Sequence, residues 1–166
     1  MISTIQFKGE VYPAFQAQGF AAKFAFPFAK EVCKGRGYDI GCNRLDWSFP
    51  ESMIIDPAIN PEWHALYLPW LNVDYIFSSH MLEHVNDWVG VLNYWHSVLK
   101  PSGVLFLYLP DFSQVYWRPH HNRKHVNAFT PEILKSYFKD QPDMWNNVFV
   151  SGVDLNSSFM VMAQKV

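Results

Sequence analysis

Three stretches of the sequence carry residue types that do chemistry, and each ends an apolar run. Asp39-Ile40-Gly41-Cys42-Asn43-Arg44 turns on a glycine, which lets a backbone bend sharply beneath a ligand. A full glycine-rich fingerprint would also have glycines at positions 43 and 45, and here these are Asn43 and Leu45. Asn tolerates positive φ better than other non-glycine residues, so the turn itself is expected to survive. Asp56 ends the next run, Met53-Ile54-Ile55. In nucleotide-binding α/β folds an acid at a strand end holds ribose hydroxyls; an ordinary strand-end Asp caps a turn. The third run, Val73 to Ser78, leads into Ser79-His80-Met81-Leu82-Glu83-His84.

His80 to His84 spells H-x-x-E-H, a string in which two histidines one helical turn apart bind zinc and the Glu acts as base. Here it follows a strand directly, the helix starts after it, and no third ligand stands out by spacing. A zinc hydrolase is therefore a minor alternative, and no metal site is expected. Arg118-Pro119-His120-His121-Asn122-Arg123-Lys124-His125 is the other cluster. Arg118 and Arg123 could bind an anionic acceptor, and Tyr116 could stack on a sugar ring; a solvated loop and a core aromatic are the plain readings. Asp111 could polarise an acceptor hydroxyl or simply cap its turn.

These stretches need elements to position them. Lys34 to Gly37 reads as a turn, and Tyr38 to Ile40, Met53 to Ile55, Val73 to Ser78 and Val104 to Leu109 read as strands. The last is apolar throughout, as a strand covered on both faces should be. Trp63 to Leu68 reads as a further, weaker strand. Asn86 is the expected N-cap of a helix over 87–100, with Trp88, Leu92, Trp95 and Leu99 as its apolar face and Pro101-Ser102-Gly103 as its stop. Thr130-Pro131 starts a helix running to about Lys139. Phe20, Phe24 and Phe28 suggest an amphipathic N-terminal helix that Pro27 must kink or break. Val148 to Val150 and Phe159 to Met162 read as an antiparallel pair. Strands alternating with helices imply an α/β fold: one doubly wound, mostly parallel, Rossmann-like sheet with an antiparallel C-terminal strand pair. Such sheets bind ligands at the carboxyl ends of their strands, where strand order reverses.

The 166 residues fit one domain, with residues 1–35 as a helical cover and 36–166 as the α/β core. A formal charge of −2 argues against broad binding of nucleic acid or anionic membrane. Two cysteines do not make a secreted disulfide framework. Met1 to Glu10 has no basic stretch followed by an apolar run, so no signal peptide is expected, and the cytoplasm is the expected compartment. No apolar run approaches the ~20 residues of a membrane span.

Tyr38 to Asn43, Ile55-Asp56, Val73 to His84 and Leu99 to Leu105 together resemble the class I S-adenosylmethionine-dependent methyltransferase family. The likeness covers about residues 36 to 138. It is nearest the short branch of bacterial and phage sugar- or cell-surface-modifying enzymes, which Leu109 to Phe112 and His125 to Glu132 also resemble. The resemblance implies S-adenosylmethionine as cofactor and S-adenosylhomocysteine as product. It implies that Asp39 and Gly41 line the methionine end and that Asp56 holds the ribose hydroxyls, with Cys42, Asn43, Pro57 and Ser78 as further cofactor-binding residues. Ser79 and His80 would flank the methionine moiety and the transferred methyl, and Trp70 or Leu71 could pack on the adenine. The expected reaction is methyl transfer to oxygen or nitrogen of a small acceptor, anionic or sugar-containing, with His80, Asp111 and His125 as candidates for a general base. The alternative is a binding module that keeps the fold without transferring methyl groups.

Overall fold

The computed structural model describes residues 3–7, 9–14, 20–122 and 124–166. The chain opens with a hairpin, β1 (Thr4–Phe7) against β2 (Glu10–Pro13), a two-stranded sheet apart from the main one. The helical cover expected at the N-terminus is therefore mixed. A 3₁₀ turn over Ala21–Phe24 follows, then α1 (Phe26–Val32). Pro27 lies in the first turn of α1, where its missing N–H costs nothing, so it starts the helix instead of kinking one. The expected phenylalanine face is corrected too. Phe28 is exposed, and the buried stripe is Ala21, Ala25, Ala29 and Cys33. These small residues let α1 lie close over Phe49, Tyr75, Phe77, Phe106 and Tyr108.

The main sheet has six strands in the order β4-β3-β5-β6-β8-β7. They are β3 (Gly37–Ile40), β4 (Met53–Ile55), β5 (Val73–Ser79), β6 (Leu99–Pro110), β7 (Trp145–Val150) and β8 (Ser158–Lys165). The first four in that order run parallel, and β8 is antiparallel to both β6 and β7. This is the expected Rossmann-like arrangement. The chain leaves β3 for β4 on one side and returns to β5 on the other, so strand order reverses at β3.

Helices α2 (Trp88–Val98) and α3 (Pro131–Lys139) cover the face opposite α1. The N-cap of α2 is Asp87, one residue later than expected; its Oδ1 accepts from Gly90 N at 2.8 Å. Leu99 already pairs with Val73, so β6 begins where the helix was expected to continue. Pro101-Ser102-Gly103 is absorbed into β6 at an irregularity in its pairing with β5, with Ser102 at φ 63°. Trp63 to Leu68 makes no strand; one isolated bridge, His64 to Tyr67, closes a turn between two prolines. Strand β7 is kinked: its register with β8 shifts between Asn146 and Phe149, and Asn147 has φ 46°.

Candidate functional site

A cleft of about 1090 Å³ opens at the carboxyl ends of β3, β4 and β5, beside the reversal of strand order. Gly41, Asn43, Asp56, Ser79 and His80 form one wall. Gly41 is the residue of its loop with positive φ, +92°, and an added Cβ would meet Met81 Cγ at 2.3 Å. The turn thus rests on Gly41 and asks nothing of Asn43. Leu45, in the place of a third glycine, is exposed. Asp39 is buried and accepts from Phe49 N at 2.7 Å, which fastens the loop back onto the sheet. Burial pushes its pKa up to about 7 against the pull of that bond. Asp39, Gly41, Cys42, Asn43 and Ser79 border a small recess of about 40 Å³. Burial and the neighbouring Asp39 push the Cys42 thiol up to about 12, and its Sγ donates to Arg44 O.

Asp56 ends β4 in a turn in which Oδ1 accepts from Ala58 N at 2.8 Å. Pro57 follows it, exposed. Ser78 and Ser79 point differently, as neighbours in a strand must. Ser78 Oγ donates to Ile40 O at 2.9 Å and ties β5 to β3. Ser79 Oγ is buried and has no hydrogen-bond partner, yet Ser79 lines both cleft and recess. A buried hydroxyl without a partner costs about 1–3 kcal/mol, so its position fits a ligand's polar group.

His80 has φ 49°, a strained value for a non-glycine residue. Its backbone N donates to Tyr108 O, its Nε2 lies 3.1 Å from Ser158 Oγ, and its ring packs on Tyr108 and Trp117. Burial, then His125 and His84, lower its pKa to about 3. His125 is buried, with Nδ1 2.8 Å from Trp117 O, and burial lowers it to about 4. Both histidines line the cleft, as do Tyr116, Asn122 and Lys124.

Other expected residues lie elsewhere. Trp70 and Leu71 precede the first residue of β5, at the amino end of the sheet. Trp70 stacks on Tyr38 there and lies under the Arg36 guanidinium, while Leu71 is exposed, so the expected adenine contact is not formed from them. Asp111 is buried in a turn and accepts from Ser113 N, a capping role. Arg118 is spent on its own loop: Nε donates to Phe112 O, Nη2 donates to Ser113 O, and the guanidinium covers the Phe112 ring. Arg123 lies outside the described residues.

Glu83 is the residue the sequence undervalues. Only 1% exposed, it has neither carboxylate oxygen hydrogen-bonded. The H-x-x-E-H string is not helical between its histidines; a 3₁₀ turn covers Leu82–His84 alone. Glu83 Oε1 instead lies 3.8 Å from His80 Nδ1, His84 Nε2 and His125 Nε2. Burial raises its pKa to about 8. The signal lay in the string itself together with His125, but 41 positions separate His84 from His125 and only folding joins them.

Residues 14–141 match the model of a family described as a methyltransferase domain. No curated protein matches the sequence. Among solved structures, a SAM-dependent methyltransferase from Archaeoglobus fulgidus is similar at 16% identity, with 92% of this chain and 99% of that one covered and a TM-score of 0.63. A SAM-dependent methyltransferase from Aquifex aeolicus gives 12% identity, coverage of 92% and 97%, and a TM-score of 0.59. The N-methyltransferase NodS from Bradyrhizobium japonicum, in complex with S-adenosyl-L-homocysteine, gives 12% identity, coverage of 91% and 87%, and a TM-score of 0.56. These likenesses are of fold. The family match spans most of the chain, and the chain belongs to the methyltransferase domain family. It is an enzyme of the methyltransferase class.

Proposed function

We propose that this chain transfers the methyl group of S-adenosylmethionine to an oxygen or nitrogen of a small acceptor and releases S-adenosylhomocysteine. One observation carries the reading: the cleft at the reversal of strand order, with the partnerless Ser79 Oγ buried in its wall. A ligand with an amino acid end, ribose hydroxyls and a cationic sulfur asks for acceptors and a close backbone. Asp56, Asn43 and Ser79, beside the bare backbone of Gly41, fit that demand and would hold it. Asp39 and Cys42 would bound its smaller recess. When bound, the cofactor supplies a methyl group on positively charged sulfur, open to in-line displacement.

The chain's own residues orient and enclose. His80 and His125, with pKa values lowered to about 3 and 4, are weak proton acceptors, so positioning outweighs base catalysis here. Ser158 and Tyr108 hold the His80 ring in the wall. Tyr116, Asn122 and Lys124 suit an acceptor with hydroxyl or anionic groups, and a sugar or surface-polymer precursor fits that description. Residues 1–166 serve as one domain, 1–35 covering the 36–166 core. Two free cysteines suit a reducing cytoplasm. Among the described residues no helix is long and apolar enough to cross a membrane.

Calorimetric titration with S-adenosylmethionine and S-adenosylhomocysteine tests the reading, repeated on Asp56→Ala. The expected result is saturable binding, weakened at least roughly tenfold in the variant, as losing a charge-assisted hydrogen bond implies. No binding of either ligand to the folded wild-type chain would sink the proposal. Labelled methyl incorporation into fractionated acceptor pools then identifies the acceptor.

A further inference from the structure

We propose that Glu83, His84 and His125 form a binding site for one divalent transition-metal cation of the zinc type at the edge of the cleft. The side-chain donors of these three residues lie within 4.8 Å of one another. Glu83 and His125 are buried, and His84 is partly exposed toward the cleft that all three line.

The proton positions carry the argument. His84 Nδ1 lies 2.7 Å from Lys124 O, and His125 Nδ1 lies 2.8 Å from Trp117 O. A carbonyl oxygen can only accept, so each Nδ1 must donate. In the neutral rings each Nε2 then carries a lone pair, not a hydrogen. Both Nε2 atoms face Glu83 Oε1 at 3.8 Å, and neither carboxylate oxygen of Glu83 has a hydrogen-bond partner. Three acceptors thus converge on one buried point. A proton on Glu83 resolves little: it serves one neighbour at a time, and 3.8 Å is beyond hydrogen-bond reach. A cation among them satisfies all three at once.

The outer contacts fit as well. Metal-binding histidines commonly donate their second N–H to a carboxylate, a carbonyl or water, which fixes ring and tautomer. His84 and His125 both donate to backbone carbonyls. The two chain segments are joined by Val126 N and Asn127 N, which both donate to Glu83 O. Two imidazoles and one carboxylate are a zinc-type donor set that leaves a further position for water or substrate. Tetrahedral zinc with bonds of ~2.0–2.1 Å holds its donors roughly 3.3–3.5 Å apart; the carboxylate lies 3.8 Å from each imidazole and all three donors lie within 4.8 Å, so a bound ion would draw the two rings inward. The remaining position would face the cleft, where a hydroxyl of the acceptor could coordinate; that last role rests on the methyl-transfer reading, while metal binding does not.

The test uses the full chain, stripped with chelator and dialysed. Zn²⁺ is titrated by calorimetry, and Co²⁺ is followed by its visible d–d absorption. The expected result is one equivalent per chain. Affinity falls at least roughly tenfold in Glu83→Gln, in His84→Asn and in His125→Ala, and is unchanged in the control His64→Ala. Circular dichroism checks that each variant is folded; the exposed position of His84 makes His84→Asn the safest of the three. No saturable binding by the wild-type chain overturns the proposal, as does equal affinity in folded His84→Asn and in the control. A parallel titration with S-adenosylmethionine, without metal, keeps the two readings separate: either can fail while the other stands.

Discussion

Asp39 accepts a hydrogen bond from Phe49 N and is otherwise enclosed, and burial raises its pKa to about 7. The unfolded chain releases that proton near pH 4. Between roughly pH 4 and pH 7 the folded chain therefore holds a proton that the unfolded chain has lost. Stability falls as pH rises through that window and levels off above it. Asn at position 39 keeps an acceptor for Phe49 N and cannot ionise. Urea midpoints of wild type and Asp39→Asn, compared across the window, should diverge progressively toward neutral pH, with the variant gaining. Parallel curves would show that the carboxyl titrates as it does in water. Gly41 gives a second prediction. Gly41→Ala meets both a left-handed φ and the Met81 side chain. It should cost about 1–2 kcal/mol in unfolding free energy from the backbone alone, and Met81→Ala in the same chain should recover only part of the loss. Full recovery would make the side-chain clash the sole cause.

At the scale of elements, the 3₁₀ turn and α1 are held against the sheet by the smallness of Ala21, Ala25 and Ala29. Ala25→Leu, at a fully buried position, should destabilise by about 1–3 kcal/mol in chemical denaturation through overpacking. A neutral effect would mean that α1 rides loosely on its face. The strands β3, β4 and β5 were legible in the sequence because each is a short apolar run ended by a polar loop. The alanine stripe was not, since large aromatics draw the eye and here the sheet supplies them. The start of β6 was hidden because Lys100 to Gly103 carries every mark of a helix stop, and pairing with β5 overrides it. For Trp70 a signal existed: a residue three positions before a parallel strand arrives at its amino end, away from a ligand held at the carboxyl end. Glu83 and His125 could be paired only by the fold, since nothing local relates them.

For the molecule as a whole, two hydrophobic clusters lie on opposite faces of one sheet and share its central strands. Tyr75 and Phe77 of β5 face one cluster, Val73 and Ile76 the other. Neither half can lose its packing without exposing the back of the other. Denaturation followed by far-ultraviolet and near-ultraviolet circular dichroism should therefore give coincident curves, and separated midpoints would divide the chain into independent units. Trp95 is central to the larger cluster and donates from Nε1 to Ala65 O. Trp95→Ala should cost about 3–5 kcal/mol and shift both curves together. The kink in β7 has a consequence of another kind. β7 ends the sheet and exposes Val148 and Phe149, so a straight β7 would present apolar side chains along an open row of backbone donors and acceptors. The register shift at Asn146 and the left-handed Asn147 break that row. A second sheet cannot stack its own edge there in register, and the molecule is thereby guarded against ordered self-association at high concentration.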